Sequence, residues 1–491
     1  MKVAVVNVPW EHDGKTGIRA GCRFPNLMPK KHNSYVPFPF LIAYTGSYLE
    51  SKGYRVMVID GIAERCSEEN FLSRLRRFAP DLVIAETATT SFHNDVGILG
   101  RFKADGTTAK IAIYGPHVSA IPRGALEYPG IDFTMQGEPE ITSSELCSSL
   151  DQGCRSFSDI AGLVYRDASG EICVNRRRPQ IEDIETLPYP MREGLPMENY
   201  NVPGFPPRVM FIYASRGCPF QCTFCLWPQT IFERGTYRPR AAAKIVEEMA
   251  YLIRRYPATS SFFFDDDTFN LGRARMLEFA NEMKRHNLRI PWGMNARADH
   301  LDRELLLRLM DTGLFTLRIG IESGDQTVLD GAKKGLNLKR VREALQLTHS
   351  LGIQNHVSFM VGLEGETHQS IEATARYIKT IPVESVQFSV AVPFPGTELH
   401  QIVEGKGFLV EQDWERYNGS ENAVMRTESM TADEIKDAIV QLRRRVYFSP
   451  RFVRRRLRYV RNLNDVAALS RKALRLVLHR KSSSRPRGTE A

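Results

Sequence analysis

The chain has 491 residues, 42% of them hydrophobic and 25% charged, with eight cysteines and a formal net charge of +9. That length holds two to four domains with ample core, and the composition excludes a low-complexity chain, a secreted disulfide scaffold and, since no apolar run reaches about 18 residues, a transmembrane helix. The charge is concentrated near the end: residues 443–487 carry 16 Lys or Arg against one acid, Asp465, so the rest is slightly acidic and the basic balance says little about an active site.

The opening "MKVAVVNVPW" reads as a buried strand without the features of a signal peptide, which together with the scattered cysteines sets a cytoplasmic expectation. Residues 1–150 continue with the apolar runs "YRVMVID", "DLVIAET", "AKIAIYG" and "IDFTMQG", separated by amphipathic stretches such as "FLIAYTGSYLESKG". Buried strands alternating with helices specify an α/β, doubly wound, Rossmann-like domain. Ligands of such sheets bind at the carboxyl ends of the strands, here "NVPWEHDGKTG", "ETATTSFHND" and "GPHVSAIP". After the first strand, "WEHDGKTGIRAGCRFPNLMPKKH" predicts a long irregular insertion. Its Trp10, Arg19, Cys22, Arg23, Phe24 and Pro25 suit a lid over a bound ligand.

Residues 151–206 predict a connector, with a hairpin in "LVYRDASGEICVN" and then the Pro-rich "IEDIETLPYPMRE". Residues 207–405 hold a second strand–helix series. Its strands are "RVMFIYAS", "SFFFDDD", "PWGMNAR", "FTLRIGIESG", "QNHVSFMVGL" and "SVQFSVAVP", and the helices between them show 3.6-residue spacing, as in Ile245, Met249 and Leu252. Six units predict a partial (β/α)6 barrel with its function at the strand carboxyl ends. Residues 406–491 predict a helical region with a basic tail. Leu463, Val466, Ala467, Leu474, Val477 and Leu478 share one helical face among arginines. Such a helix suits packing on the barrel or a peripheral contact with an anionic membrane surface; no nucleic acid partner is expected.

"SRGCPFQCTFC" follows the first barrel strand and puts Cys218, Cys222 and Cys225 within eight positions. Structural zinc needs four ligands, usually two Cys-x2–4-Cys pairs, and no second pair exists. A [4Fe–4S] cluster usually takes four thiolates; three leave one iron open to bind and reduce a substrate or cofactor. Zinc with a fourth ligand from elsewhere, and a non-catalytic metal-binding scaffold, are the competing readings.

The Cys-x3-Cys-x2-Cys spacing, with Phe224 between the last two cysteines, resembles the radical SAM superfamily. The resemblance implies that the free iron chelates S-adenosylmethionine, which is cleaved to a 5′-deoxyadenosyl radical. It also implies roles for later strand ends: Asp265, Asp266 and Asp267 for the methionyl amino group, Arg297 for the carboxylate, and Glu322 and Ser323 for ribose or the methionyl group. "GLEGET" from Gly362 would lie near adenine, with Glu364 where the family often has proline, and "PFPGTEL" is typical of the sixth strand end. The preceding doubly wound domain, with "APDLVIAE", "GPHVSAIPRGALEYPGIDFTMQGEPE" and "IEDIETLPYP", resembles the cobalamin-binding-domain subfamily, so that the likeness spans about residues 1–405. Thr87, Thr89, Thr90, Ser91, Gly115 and His117 would meet cobalamin. The Asp-x-His-x-x-Gly signature is absent, Ser91 standing where its aspartate would be.

The expected reaction is cobalamin-dependent methylation of an unactivated carbon in a small-molecule or lipid-like substrate, with flavodoxin or ferredoxin as electron donor. The alternative is radical cyclisation, rearrangement or carbon–carbon coupling without methyl transfer.

Overall fold

The protein is described by a computed structural model over residues 1–12, 14–19, 25–29, 35–419 and 422–457. Cys22, Arg23, Phe24 and the apolar face from Leu463 to Leu478 lie outside these residues. β1 (Lys2–Asn7) is followed by three short strands, β2 (Glu11–His12), β3 (Lys15–Ile18) and β4 (Asn26–Pro29), and by α1 (Phe40–Ser51). Then come β5 (Arg55–Asp60), α2 (Glu68–Phe78), β6 (Leu82–Glu86), α3 (Phe92–Ala104), β7 (Lys110–Tyr114), α4 (Pro116–Ala120), β8 (Phe133–Met135) and α5 (Pro139–Asp151).

The first sheet has seven strands, the expected hairpin supplying β9 (Leu163–Arg166) and β10 (Ile172–Val174), in the order β10-β9-β8-β7-β6-β1-β5. The five strands from β5 to β8 run parallel, and β9 and β10 extend them in antiparallel fashion. The hairpin is therefore an edge of this sheet and not a free connector. Alternation along β1 serves two cores: Val3 and Val5 pack with α1, Ala4 and Val6 with α2 and α3. α2 starts where Ser67 accepts a hydrogen bond from the Asn70 N–H and ends with Ala79 in the left-handed region.

The insertion is ordered where it is described. β3 pairs antiparallel with both β2 and β4. Arg19 is spent on the protein itself: it is buried, paired with Asp95, and donates to Asn7, Ser91 and the Val8 carbonyl. Its guanidinium staples the insertion to the strand ends, because a buried cation needs its charge and its donors matched inside the protein.

The second series opens with β11 (Val209–Ile212), a ribbon of β12 (Ser215–Gly217) and β13 (Tyr237–Pro239) around α6 (Trp227–Thr230), and α7 (Ala242–Arg255). It continues through β14 (Ser261–Phe264), α8 (Arg273–Arg285), β15 (Trp292–Ala296), α9 (Arg303–Met310), β16 (Leu314–Glu322), α10 (Gln326–Gly331) and α11 (Leu338–Ser350). β17 (Gln354–Val361), α12 (His368–Thr380), β18 (Ser385–Val390) and α13 (Glu398–Gly405) complete it. The six strands pair in parallel in the order β11-β14-β15-β16-β17-β18, an open barrel.

Residues 406–419 and 422–431 are mostly irregular, a difference from the helical expectation. α14 (Ala432–Tyr447), started by a Thr431–Glu434 capping box, packs on α12 and β18. α15 (Pro450–Leu457) ends the described chain. No helix among the described residues is long and apolar enough to cross a membrane.

Candidate functional site

The loop after β11 is tied down before it reaches the cysteines. Asp266 accepts hydrogen bonds from the Ala214 N–H, at 3.1 Å, and the Ser215 hydroxyl. Gly217 sits at φ 82°, and a Cβ there would meet the Thr236 carbonyl oxygen at 2.6 Å, so only glycine lets the ribbon turn into Cys218. Beyond it, Gln229 Nε2 on α6 donates to the carbonyls of Cys222, Thr223 and Cys225, at 3.2, 3.1 and 2.7 Å. The loop is curled around one amide side chain. Cys218 and Cys222 are buried and Cys225 partly so, and Cys222 packs with Phe224, Met360, Leu363, Ala391 and Leu399.

The electrostatics divide the three thiols, and only Cys222 is favoured as thiolate. A hydrogen bond with Cys225, aided by the Lys334 ammonium, outweighs burial and holds the Cys222 thiol down to about 6, while Cys225 is pushed up by the same hydrogen bond and by burial. Burial also raises Cys218. Lys334 is a site residue without a sequence signal. Its ammonium is 3.1 Å from the Glu322 carboxylate and 5.8 Å from the Phe224 ring. Burial opposes its charge, but Glu322 and the two thiols more than offset that and raise its pKa. Among the described residues no three His, Cys, Asp or Glu side chains converge as ligands of a single metal ion. Three thiols on one tightly held loop, beside a cation, supply the soft ligand set of an iron–sulfur cluster.

The other barrel residues expected at the site occupy its strand ends. Asp265 accepts from Tyr35 and Asn295, each at 3.1 Å, and Asp266 is fully buried under the cluster loop. Asp267 is followed by Thr268, whose hydroxyl is 3.8 Å from Cys218 Sγ. Arg297 lies 3.5 Å from the Phe220 ring and donates to Asp299 and to the Lys334 and Gly335 carbonyls. It therefore clamps the loop that carries Lys334. Glu322 is held at φ 77°, where β16 is irregular in its pairing with β17; strain of this kind gathers at functional sites. Ser323 is buried against Thr374, 3.3 Å away. Gly362, at φ 90°, donates its N–H to the buried Glu366 carboxyl, which ties this loop internally.

In the first domain, the expected residues meet at the ends of β6 and β7. Gly115 has φ 132°, and a Cβ there would lie 2.0 Å from the Thr87 carbonyl oxygen. Thr87 donates to Asp95 at 2.8 Å, and Thr89 and His117 Nδ1 are 3.3 Å apart. His117 is wedged between Phe92 and Trp414, both rings 4.3 Å away, and burial drives its pKa down to about 3, so the imidazole is neutral. Thr90 is buried with its hydroxyl lacking a partner. That orphaned donor, beside glycine and small hydroxyl residues at the strand ends, fits a polar-rimmed corrinoid. Sequence reasoning missed Trp414, because it comes from beyond the barrel.

The two edges face one another. α4, which carries His117, packs on α6, which follows Cys225. A Cβ on Gly396, in "PFPGTEL", would lie 2.8 Å from both Ala120 and Thr230.

This is the architecture of an S-adenosylmethionine-cleaving barrel fused to a corrinoid-type domain. Residues 34–147 match the B12-binding domain family and residues 212–378 the radical SAM superfamily. The chain is 30% identical over 413 residues to an uncharacterized methyltransferase of Pyrococcus horikoshii, covering 84% of this chain and 87% of that protein. It belongs to the cobalamin-binding-domain radical SAM family and is an enzyme. Both the radical SAM and the B12-binding domain are present, and of its solved structural neighbours TsrM binds cobalamin and a [4Fe–4S] cluster and OxsB binds aqua-cobalamin and S-adenosylmethionine.

It is also 28% identical to the anaerobic magnesium-protoporphyrin IX monomethyl ester cyclase of Rubrivivax gelatinosus (84% of this chain, 74% of that one). The cytidylyl-2-hydroxyethylphosphonate methyltransferase of Streptomyces wedmorensis is 26% identical, covering 76% of this chain and 79% of that one. In fold it resembles the cobalamin-dependent radical enzyme OxsB, with a TM-score of 0.70 at 17% identity over 96% of this chain and 70% of that one. It also resembles the methyltransferase TsrM of Kitasatospora setae, with a TM-score of 0.63 at 19% identity over 92% and 86%.

Proposed function

We propose that this enzyme transfers a methyl group to an unactivated sp3 carbon of a small molecule. The observation that carries the reading is the packing of α4 on α6, which sets the edge bearing His117 beside the loop bearing Cys218, Cys222 and Cys225. When bound, the cluster and S-adenosylmethionine supply a hydrogen-abstracting radical and the corrinoid supplies the methyl group. The protein's own part is to hold, orient and dry the site. The three cysteines bind as thiolates, with Gln229 fixing their loop and the Lys334 ammonium offsetting their charge. Asp265, Asp267 and Glu322 at the strand ends receive an amino group, Asp266 holds the cluster loop from beneath, and Arg297 fixes the loop that carries Lys334. The Gly362 loop and the buried Ser323 form the wall on the adenine and ribose side. Phe224, Met360 and Leu363 exclude water, which protects a radical from quenching. In the first domain Thr87, Thr89, Gly115 and His117 form the corrinoid-facing edge.

Purification without oxygen tests the reading. About four irons and four sulfides per chain are expected, together with bound corrinoid. Reduction in the presence of S-adenosylmethionine should release 5′-deoxyadenosine and S-adenosylhomocysteine, and Cys222→Ala should abolish the first. One zinc without sulfide overturns the radical reading; a chain with a cluster but no corrinoid and no S-adenosylhomocysteine overturns methyl transfer. A small acidic electron carrier, flavodoxin or ferredoxin, is the proposed reductant. The basic charge of residues 443–487 supports a peripheral contact with anionic lipid. Co-sedimentation with phosphatidylserine vesicles at low salt, lost when the tail is removed, checks it.

A further inference from the structure

We propose that Glu138 and Glu140, at the carboxyl end of the first sheet, are positioning residues for the cluster-binding loop of the barrel. The proposal rests on reading Cys218, Cys222 and Cys225 as cluster ligands. Glu138 precedes α5 and Glu140 stands in its first turn. Arg216, two residues before Cys218, donates from Nη1 to Glu138 and from Nη2 to Glu140, each at 2.6 Å. The three side chains are 2%, 4% and 0% exposed, so these are dry, charge-assisted contacts. The guanidinium also lies 4.8 Å from the Tyr44 ring of α1.

Arg238 is the cross-strand partner of Arg216 in the β12–β13 ribbon, and it donates to the other oxygen of Glu138 at 2.8 Å. That oxygen also accepts from the Ile181 N–H at 3.0 Å. Both strands that flank the cysteine loop therefore reach first-domain carboxylates. One oxygen of Glu140 has no hydrogen-bond partner, so Arg216 is what compensates the burial of that carboxylate.

The contact differs from ordinary interdomain adhesion in where it acts. Ser215 is held by Asp266 of the barrel and Arg216 by the first domain, and Gly217 next to them admits no side chain. The two domains thus grip adjacent residues at the root of the loop. A displacement of the first domain moves Arg216 and, two residues later, the first thiol. The clamp makes the corrinoid-type domain a structural part of the cluster site.

The test uses the full chain, reconstituted without oxygen. Glu138→Gln and Glu140→Gln keep shape and remove charge. Arg178→Gln breaks a contact with Glu145, also on α5, that does not touch the loop, and serves as the control. The readouts are the electron paramagnetic resonance spectrum of the reduced cluster, with and without S-adenosylmethionine, and the rate of iron loss to a ferrous chelator. The Gln variants are expected to alter the spectral response to S-adenosylmethionine and to lose iron several-fold faster than wild type and the control. Arg216→Lys, which keeps the charge but not the fork, should fall between. If Glu138→Gln does not fold, Glu140→Gln and Arg216→Lys decide the matter. Spectra and iron-loss rates equal to wild type, or changed equally in the control, overturn the clamp. A wild-type chain that takes up no iron and sulfide overturns the cluster reading instead, so the two failures are distinct.

Discussion

At the residue scale, a buried ammonium stands beside two thiols of the cluster loop. Lys334 is paired with Glu322 and adjoins Cys222 and Cys225. A fixed positive charge in a low-dielectric wall favours the more negative, reduced state of a cluster. Lys334→Met is therefore expected to shift the cluster potential to more negative values, and Lys334→Arg to retain it, in a redox titration followed by electron paramagnetic resonance; equal potentials in wild type and the Met variant would falsify this role. Gly115 makes a second residue-scale prediction. Gly115→Ala places a Cβ against the Thr87 carbonyl at an unfavourable φ, at a cost of roughly 3 kcal/mol or more. Thermal melting should show the loss, and corrinoid content should fall with it.

At this scale the cysteines were legible because ligand spacing is local. Lys334 in "DGAKKGLN" and Gln229 were not, since nothing near them distinguishes a buried ammonium or amide from a solvated one. Arg297 was legible as a cation at a strand end, but two of its partners, the Lys334 and Gly335 carbonyls, lie on a loop 37 and 38 residues away in sequence.

Among elements, the loop that joins β17 to α12 has a titratable fastening. Glu366 is fully buried, and burial pushes its carboxyl up to about 8, while the N–H groups of Gly362 and Leu363 pull it down less strongly. Its folded pKa thus lies above its unfolded value near 4.5, and the folded state keeps a proton that the unfolded state has released between those limits. Stability from this group is complete below about pH 4.5 and declines as pH rises to about 8, by an amount on the order of a few kcal/mol. Melting temperatures across that range should fall less for Glu366→Gln than for wild type. The barrel strands and helices themselves were plain in the sequence, because periods of 2 and 3.6 are carried by neighbouring residues. The insertion after β1 was not, since the pairing of β3 with β2 and β4 joins a short, weakly apolar stretch whose fixing partner, Arg19 on Asp95, is distant in sequence.

The whole molecule is built around a core that crosses the domain boundary. Phe211 and Phe263 of the barrel lie in one cluster with Phe38, Phe40 and Tyr200, and Phe40 stacks on Tyr213 with ring centroids 3.7 Å apart. Arg192 of the connector, 4.1 Å from the Phe38 ring, reaches the Phe211 carbonyl at 2.7 Å. The two halves are therefore expected to melt in a single calorimetric transition, and removing residues 1–206 should leave an aggregating barrel with exposed aromatic surface. Two separate transitions would show that the shared core contributes little.

The amino-acid sequence by itself determined the alternation of strands and helices, the two sheets they form, and the triplet of thiols, because burial periodicity and ligand spacing are properties of a few consecutive residues. The tertiary structure alone decided that the β9–β10 hairpin extends the first sheet, that α4 meets α6, and that Lys334, Trp414 and the Glu138–Arg216–Glu140 clamp belong to the site. Each of those depends on burying charge or aromatic surface between segments far apart in the chain, and the free energy of such burial is set by the assembled environment and not by the neighbours in sequence.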